Sequence, residues 1–221
     1  MYKRTLLQLV IMAIMIMTTA SCGDYLDSNN EPEKPLPVEP ENLPMFQFNE
    51  SGIPYRYGQP TIPKDIQETL KKEFIGYGWK WMQTNEILET GYVKHEGYYE
   101  GMYGVNPPDF YYMKSDGADA EYVKYSYSDA QNQKVYYPHN CTFNPETGVI
   151  LNGSGNFRIW TIYKLSGRWY ISWFEPISKR KNPDGTYRDV WGVSQFVRMT
   201  DTELKEMQKD YTLDEGYVSL F

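Results

Sequence analysis

Apolar and polar residues alternate with a period of two through much of the chain between residues 61 and 211, which is typical of β-strands with one buried face. The pattern predicts eight strands, at residues 79–88, 110–114, 122–127, 134–143, 149–151, 157–165, 169–173 and 191–197. Turn-forming pairs such as Ser166-Gly167 separate several of them, and short connections favour antiparallel neighbours. About eight strands in an up-and-down order close into a small barrel without exposed edges.

Both ends of this strand-rich region carry helix patterns. At the start, apolar residues recur every four positions, at Ile62, Ile66, Leu70 and Phe74. Near the end, Thr200 and Glu203 fit a capping box, and Met199 and Leu204 fit the hydrophobic staple that accompanies it. The predicted fold class is therefore all-β: an antiparallel up-and-down barrel of about eight strands with short N- and C-terminal helices.

Residues 1–21 have the features of a lipoprotein signal peptide. Lys3 and Arg4 precede an apolar run at residues 6–17, which is shorter than the roughly 20 residues that span a bilayer. Small residues precede Cys22, as in a bacterial lipobox, whose cysteine is acylated. We expect acyl chains such as palmitate on Cys22 to anchor the protein in the outer membrane. The alternative is an ordinary secreted protein in which Cys22 is incidental.

Residues 22–60 are rich in Pro and Glu. A segment of this composition buries too little apolar surface to fold alone, so we expect an extended tether. An apolar patch at residues 43–48 is the exception, and we expect it to dock on the domain as an edge strand. The folded domain is assigned to residues 61–211 and a C-terminal tail to residues 212–221.

The composition excludes several functions. The 221 residues include 22 Lys and Arg against 29 Asp and Glu, a net charge of −7. Removal of residues 1–21, which contain two basic residues and no acidic one, leaves a charge of −9 that repels nucleic acid. The two Cys and two His provide neither a disulfide framework nor a dedicated zinc site, so no metal is expected. No pattern indicates a cofactor.

Two segments resemble the lipocalin-like lipoproteins of the Bacteroidetes. One is Gly76-Tyr-Gly-Trp79-Lys-Trp81 at the first strand, and the other is Gln195-Phe-Val-Arg198 in the last strand. In lipocalins a Gly-x-Trp near the first strand closes one barrel end, and an arginine from the last strand packs over the ring. The resemblance implies a calycin-type barrel in which Trp79 or Trp81 pairs with Arg198, although the spacing here is Gly-x-x-Trp. It implies no binding residue.

Aromatic residues are concentrated between residues 92 and 112, interleaved with glycines. Tyrosine combines an apolar ring with a polar tip, so a group of them can stack on sugar rings and bind their hydroxyls. The candidate ligand-binding residues are Tyr98, Tyr99, Tyr103, Tyr111 and Tyr112. The alternative is that these rings fill the barrel and cover its mouth.

Other chemistry-bearing residues have simpler interpretations. His139 and Cys141 share the predicted inward face of one strand, and we interpret them as core residues rather than metal ligands or a nucleophilic pair. Glu96 and Glu100 flank the tyrosines and are a candidate pair of carboxylates for glycoside hydrolysis; the alternative is a chance pair, as any acidic protein contains. Residues 179–181 form a small basic patch with Arg188 at a predicted hairpin tip, either a solvated turn or a contact for phosphate or an acidic partner.

The leading hypothesis is a membrane-anchored cell-envelope lipoprotein that binds a small apolar molecule or a glycan in a β-barrel pocket. It assigns no catalytic residue and predicts that the protein is not an enzyme. The alternative is an accessory subunit of an outer-membrane complex with no pocket of its own, for which an exposed aromatic face is the discriminating feature. A glycan hydrolase is the third hypothesis.

Overall fold

The structure, a computed structural model, describes residues 38–58, 61–99, 109–152 and 155–214. Its helices are α1 (Lys64–Glu73) and α2 (Asp201–Gln208). Its strands are β1 (Gln47–Phe48), β2 (Pro54–Tyr55), β3 (Gly78–Ile87), β4 (Val93–Tyr99), β5 (Phe110–Met113), β6 (Gly117–Ser128), β7 (Gln133–Asn144), β8 (Val149–Asn152), β9 (Gly155–Leu165), β10 (Arg168–Lys181), β11 (Tyr187–Arg198) and β12 (Thr212–Leu213). The predicted signal peptide and Cys22 lie outside the described residues.

A single ten-stranded sheet contains all the strands from β3 to β12. Strands β5 to β11 pair in sequence order, and every pairing among them is antiparallel. Strand β3 pairs with β4 and β5, and it also pairs with β11, in a register that sets Trp79 opposite Arg198. The prediction of a large antiparallel sheet with two short helices is confirmed. Strand β4 was not predicted from the sequence.

Local sequence explains the tight turns and the helix ends. Ser166 and Gly167, with φ of 49° and 83°, both adopt the left-handed conformation that a type I′ hairpin turn requires. Pro63 is the N-cap residue of α1, and Leu70 and Phe74 of its apolar stripe are buried. In α2 the side chain of Thr200 accepts from the Glu203 amide and the Glu203 carboxylate accepts from the Thr200 amide. The predicted capping box is therefore confirmed.

One face of the sheet forms an aromatic core against α1. Tyr111, Trp173 and Phe196 contact one another, with ring centres 4.0–5.6 Å apart. At the α1 end, Trp79 packs on Phe74 and donates from Nε1 to the Phe74 carbonyl oxygen. A cavity of only about 20 Å³ remains among these side chains, enough for about one water molecule.

The opposite face is covered in part by residues 38–58. Phe46 is buried and makes edge-to-face contacts with Trp160 and Phe174, whose rings are stacked on each other. Arg56 lies over the Phe46 ring at 3.7 Å and forms a 2.7 Å ion pair with Glu39 that is almost completely buried. The range that the sequence assigns to the tether therefore includes residues packed into the folded unit.

The patch at residues 43–48 docks differently from the predicted edge strand. Strand β1 pairs with β2 in a separate two-stranded sheet, and the attachment to the large sheet is made by Phe46. The amide of Phe46 donates to the carbonyl oxygen of Gly91 at 2.9 Å. A strand-like pattern of two or three apolar residues does not specify its partner strand, and here the neighbouring segment provides it.

A second hydrophobic cluster lies where α2 and β12 cover part of the sheet. Phe110, Tyr125 and Tyr211 form its centre, and the first two rings are stacked at 4.2 Å. Met199 and Leu204, the predicted staple residues, both belong to this cluster. Strand β12 extends the sheet by pairing in parallel with β7. Neither helix of the described ranges is long and apolar enough to cross a membrane.

Candidate functional site

The five candidate tyrosines do not form one surface in the described part of the chain. Tyr103 lies outside the described residues, and only the backbone is described for Tyr98 and Tyr99, which the β3–β4 register places opposite Thr84 and Gln83. Tyr111 and Tyr112 are consecutive in β5, so their side chains point to opposite faces. Tyr111 belongs to the aromatic core, whereas Tyr112 packs against the cluster under α2.

Tyr111 is the candidate with the most unusual environment. Burial raises its pKa well above the ordinary value, and the carboxylates of Asp109 and Glu175 add to this shift. Asp109 is itself paired with Lys124 at 2.9 Å and accepts from the Ser126 hydroxyl at 2.6 Å. Tyr111 is therefore a neutral core residue near two carboxylates, that of Asp109 just before β5 and that of Glu175 on β10.

The environment of His139 and Cys141 supports their interpretation as core residues. His139 stacks on Tyr122 at 4.6 Å, and burial lowers its pKa to about 4, with the Lys124 charge contributing in the same direction. Burial raises the pKa of the Cys141 thiol to about 11, and the Glu121 charge adds to the shift. A protonated thiol is a poor nucleophile and a poor metal ligand. Within the described ranges, no three His, Cys, Asp or Glu residues are grouped to hold a metal ion.

The two glutamates proposed for the hydrolase hypothesis remain without described side chains. Glu96 lies on β4, and Glu100 lies outside the described residues. The pair therefore provides no evidence for a hydrolase site.

Arg198 stacks on a different ring from the two that the sequence suggested. Its guanidinium lies 3.1 Å from the centre of the Tyr77 ring and donates to Glu73 at 2.8 Å. Trp79 is directly opposite Arg198 in the β3–β11 register but packs on Phe74 instead. The arginine from the last strand thus covers a tyrosine just before the first long strand, at the end of the sheet where α1 lies.

A groove of about 780 Å³ lies on the outside of the sheet. It lies among the β1–β2 turn, the β3–β4 turn and the long β10–β11 hairpin. Three aromatic residues line it: Phe48, Tyr187 and Trp191. Tyr187 is 65% exposed, whereas Trp191 is half-buried and packs edge-on against Phe174. A volume of this size is within the range of small-molecule sites.

The charged residues of the groove balance one another. Three acidic and three basic residues line it, namely Glu86, Glu89, Asp189, Lys179, Arg180 and Arg188. Arg180 pairs with Glu86 at 3.0 Å, Arg188 hydrogen-bonds Glu89, and Lys179 lies 3.9 Å from Asp189. Most of the basic patch of the sequence is therefore neutralised, which disfavours phosphate or an acidic partner there.

The sequence indicates only the basic residues of the groove, Lys179, Arg180 and Arg188. It does not indicate their acidic partners. No protein-family model matches the chain, and no curated protein matches it. The candidate site is therefore defined by the geometry of the groove.

Proposed function

We propose that the chain is an envelope lipoprotein, anchored through acylated Cys22, whose β domain binds a neutral glycan without catalysis in the external groove. The observation that carries this proposal is the groove of about 780 Å³, which is lined by three aromatic residues and by three acidic and three basic residues that balance in charge. The alternative site inside the sheet is disfavoured at the α1 end, where about 20 Å³ is free.

The strand pairings support a closed, lipocalin-like barrel as the scaffold. A path from β3 through β5 and then successively to β11 returns to β3, because β11 pairs with both β10 and β3. That path contains eight strands, the number expected for a small barrel whose interior side chains can fill. The tight packing of the core at the α1 end supports a binding site outside the barrel.

The chemistry of the groove favours a sugar over an apolar molecule. An aromatic ring stacks on the apolar face of a sugar, and carboxylate and guanidinium groups bind its hydroxyls in pairs. A lipid would have to cover the six charged side chains of the groove and desolvate them, which is costly. A neutral glycan does not disturb the balance of three positive and three negative groups.

Binding is tested on an array of neutral, sialylated and sulfated oligosaccharides with the protein from residue 23 onwards. We expect neutral glycans to bind, Tyr187→Ala to weaken binding at least about tenfold, and Tyr92→Ala to leave it unchanged. Tyr92 is the matched control because it is 59% exposed and is not part of the groove lining. Binding of acidic glycans alone would contradict the assignment. The absence of any glycan binding, with a stable envelope partner, would favour the accessory-subunit hypothesis.

The anchor is tested separately in a Gram-negative host. Cys22→Ser in the full chain is expected to abolish palmitate labelling and release the protein from the outer-membrane fraction, because a single acyl-bearing residue provides the attachment. Unchanged labelling would show that Cys22 is not the acylated residue.

A further inference from the structure

A second recess, of about 520 Å³, is formed by residues of β6, β7, β8 and the β7–β8 turn. Small and apolar residues predominate in its lining, and none of the described residues that line it is charged. Val149 and Leu151 are two residues apart in β8, so their side chains point to the same face of the sheet. Leu151 is 43% exposed. The recess therefore offers apolar surface that the described part of the chain leaves uncovered.

Arg158 of β9 lies at the border of this recess. In the β8–β9 register it is directly opposite Val149, and residues paired in this way have neighbouring side chains on one face. In the β9–β10 register it is opposite Phe174, whose ring is on the outer face, away from the aromatic core. The guanidinium and the recess are therefore neighbours on the outer face of the sheet.

Arg158 differs from the other arginines of the described ranges in its lack of a carboxylate partner. No Asp or Glu in these ranges forms an ion pair with it, and its buried Nη1 has no hydrogen-bond acceptor there. The other described arginines each pair with a glutamate: Arg56 with Glu39, Arg168 with Glu203, Arg180 with Glu86, Arg188 with Glu89 and Arg198 with Glu73.

The position of the Arg158 guanidinium is supported by two buried rings. It lies 5.2 Å from the centre of the Trp160 ring and 5.9 Å from that of Phe174. Burial lowers the pKa of Arg158, because the charged form is incompletely solvated. Solvent still reaches part of the side chain. A cation that is held in place, partly desolvated and without a counterion is suited to bind an anion, because little side-chain entropy is lost.

The combination of one cation and an apolar recess defines the chemistry of the ligand. A guanidinium binds a carboxylate through two parallel hydrogen bonds, and the single charge of Arg158 matches the single charge of that group. An alkyl chain that covers Leu151 and Val149 removes their apolar surface from water. A short carboxylate gains only a partly exposed ion pair, which contributes little by itself.

We propose that Arg158 and the adjoining recess bind an alkyl carboxylate on the outer face of the sheet. The carboxylate pairs with the guanidinium, and the chain lies along Val149 and Leu151. The site shares no lining residue with the groove and does not depend on the glycan-binding proposal.

The test compares decanoate with two molecules that each lack one of its features. Decan-1-ol has the chain without the charge, and butyrate has the charge with a short chain. Each is titrated by calorimetry at neutral pH into the protein from residue 23 onwards, produced without acylation. We expect saturable binding of decanoate, at least about tenfold tighter than that of either comparison molecule. If decanoate binds no more tightly than one of them, the proposal is wrong, whatever the behaviour of any variant.

A charge variant locates the carboxylate. Arg158→Met keeps an unbranched side chain over the two rings but removes the charge. We expect it to weaken decanoate binding at least about tenfold and to leave decan-1-ol binding unchanged. Lys205→Met removes a positive charge from an exposed position of α2 and is the matched control. Undiminished decanoate binding by a folded Arg158→Met protein would overturn the assignment.

A second pair of variants locates the alkyl chain. Leu151 and Leu165 are both 43% exposed, but only Leu151 lines the recess. Leu151→Ser should weaken binding of decanoate and of decan-1-ol at least about threefold, and Leu165→Ser should change neither. Equal affinities of the two variants would contradict the assignment of the chain to the recess. Tyr187→Ala, which tests the groove, should bind decanoate normally, and a loss of binding there would place the site in the groove instead.

Discussion

Arg56 and Glu39, which are 17 residues apart in the chain, form an ion pair of 2.7 Å with side chains that are only 4% and 6% exposed. Arg56 also lies over the ring of Phe46, which packs edge-to-face against both Trp160 and Phe174. The ion pair therefore links the two ends of the segment at residues 38–58, which packs on the outer face of the sheet through Phe46.

Glu39→Ala is expected to destabilise the protein by about 3 kcal/mol, because it leaves the Arg56 charge buried without its partner. The measurement is urea denaturation followed by tryptophan fluorescence. A matched double variant, Glu39→Leu with Arg56→Met, removes both charges and should recover much of the loss. Equal destabilisation by the single and double variants would show that packing rather than charge pairing is responsible.

Gly91→Ala is expected to cost more than about 2 kcal/mol of folding stability. Gly91 has a φ of +86°, and a Cβ there would lie 1.9 Å from the carbonyl oxygen of Phe46, so the backbone must move. Gly167→Ala is the control, since Gly167 has a similar φ of +83° but open space around its Cβ position. Its cost should be about 1 kcal/mol, that of backbone strain alone. Similar losses in both variants would exclude the steric contact as the cause.

His139 should make the protein less stable as the pH falls from about 6.5 to about 4. Its pKa is about 4 in the folded protein, against 6.5 for the unfolded chain, so the unfolded state binds more protons in this window. The stabilisation is complete above pH 6.5 and is lost as the pH falls. His139→Gln should show a smaller difference between urea midpoints at pH 7 and pH 4.5 than the unaltered protein. An identical difference would show that His139 does not contribute.

Cys141 should be unreactive in the folded protein. Burial holds its thiol protonated, with a pKa of about 11, and only 6% of the residue is exposed. In protein that begins after Cys22, Ellman's reagent at pH 8 should detect no thiol under native conditions and one after denaturation. Rapid reaction of the native protein would indicate that this end of β7 opens readily.

The parts of the fold that local sequence specifies were predicted correctly. The capping box of α2 depends on residues three positions apart, and the turn at Ser166 and Gly167 depends on two adjacent residues. Both require only short-range hydrogen bonds or backbone conformation, so the sequence pattern alone identifies them.

Features that depend on contacts between distant segments were missed. Strand β4 contains Gly97 and lies in a tyrosine- and glycine-rich segment, so its pattern resembles a loop, and its pairing with β3 determines its conformation. A register shift between β9 and β10 lies beside Trp160, and both Ile159 and Trp160 are completely buried. Simple alternation predicts one buried face, whereas residues 38–58 bury the second face here.

The candidate groove illustrates the same limit. The basic residues of the β10–β11 hairpin were visible in the sequence, but their partners Glu86 and Glu89 lie 94 and 99 residues away from Arg180 and Arg188. The neutral character of the groove, and with it the expected class of ligand, follows only from that long-range pairing.

The position of the Glu39–Arg56 pair has a mechanical consequence. Tension applied to the N-terminus loads this pair before it reaches any strand of the large sheet, because residue 39 precedes them all in the chain. The same segment contributes Phe48 and Ser51 to the groove. A force large enough to detach residues 38–58 from the sheet would therefore remove one side of the groove. The affinity of the proposed site for its ligand would then depend on the applied force.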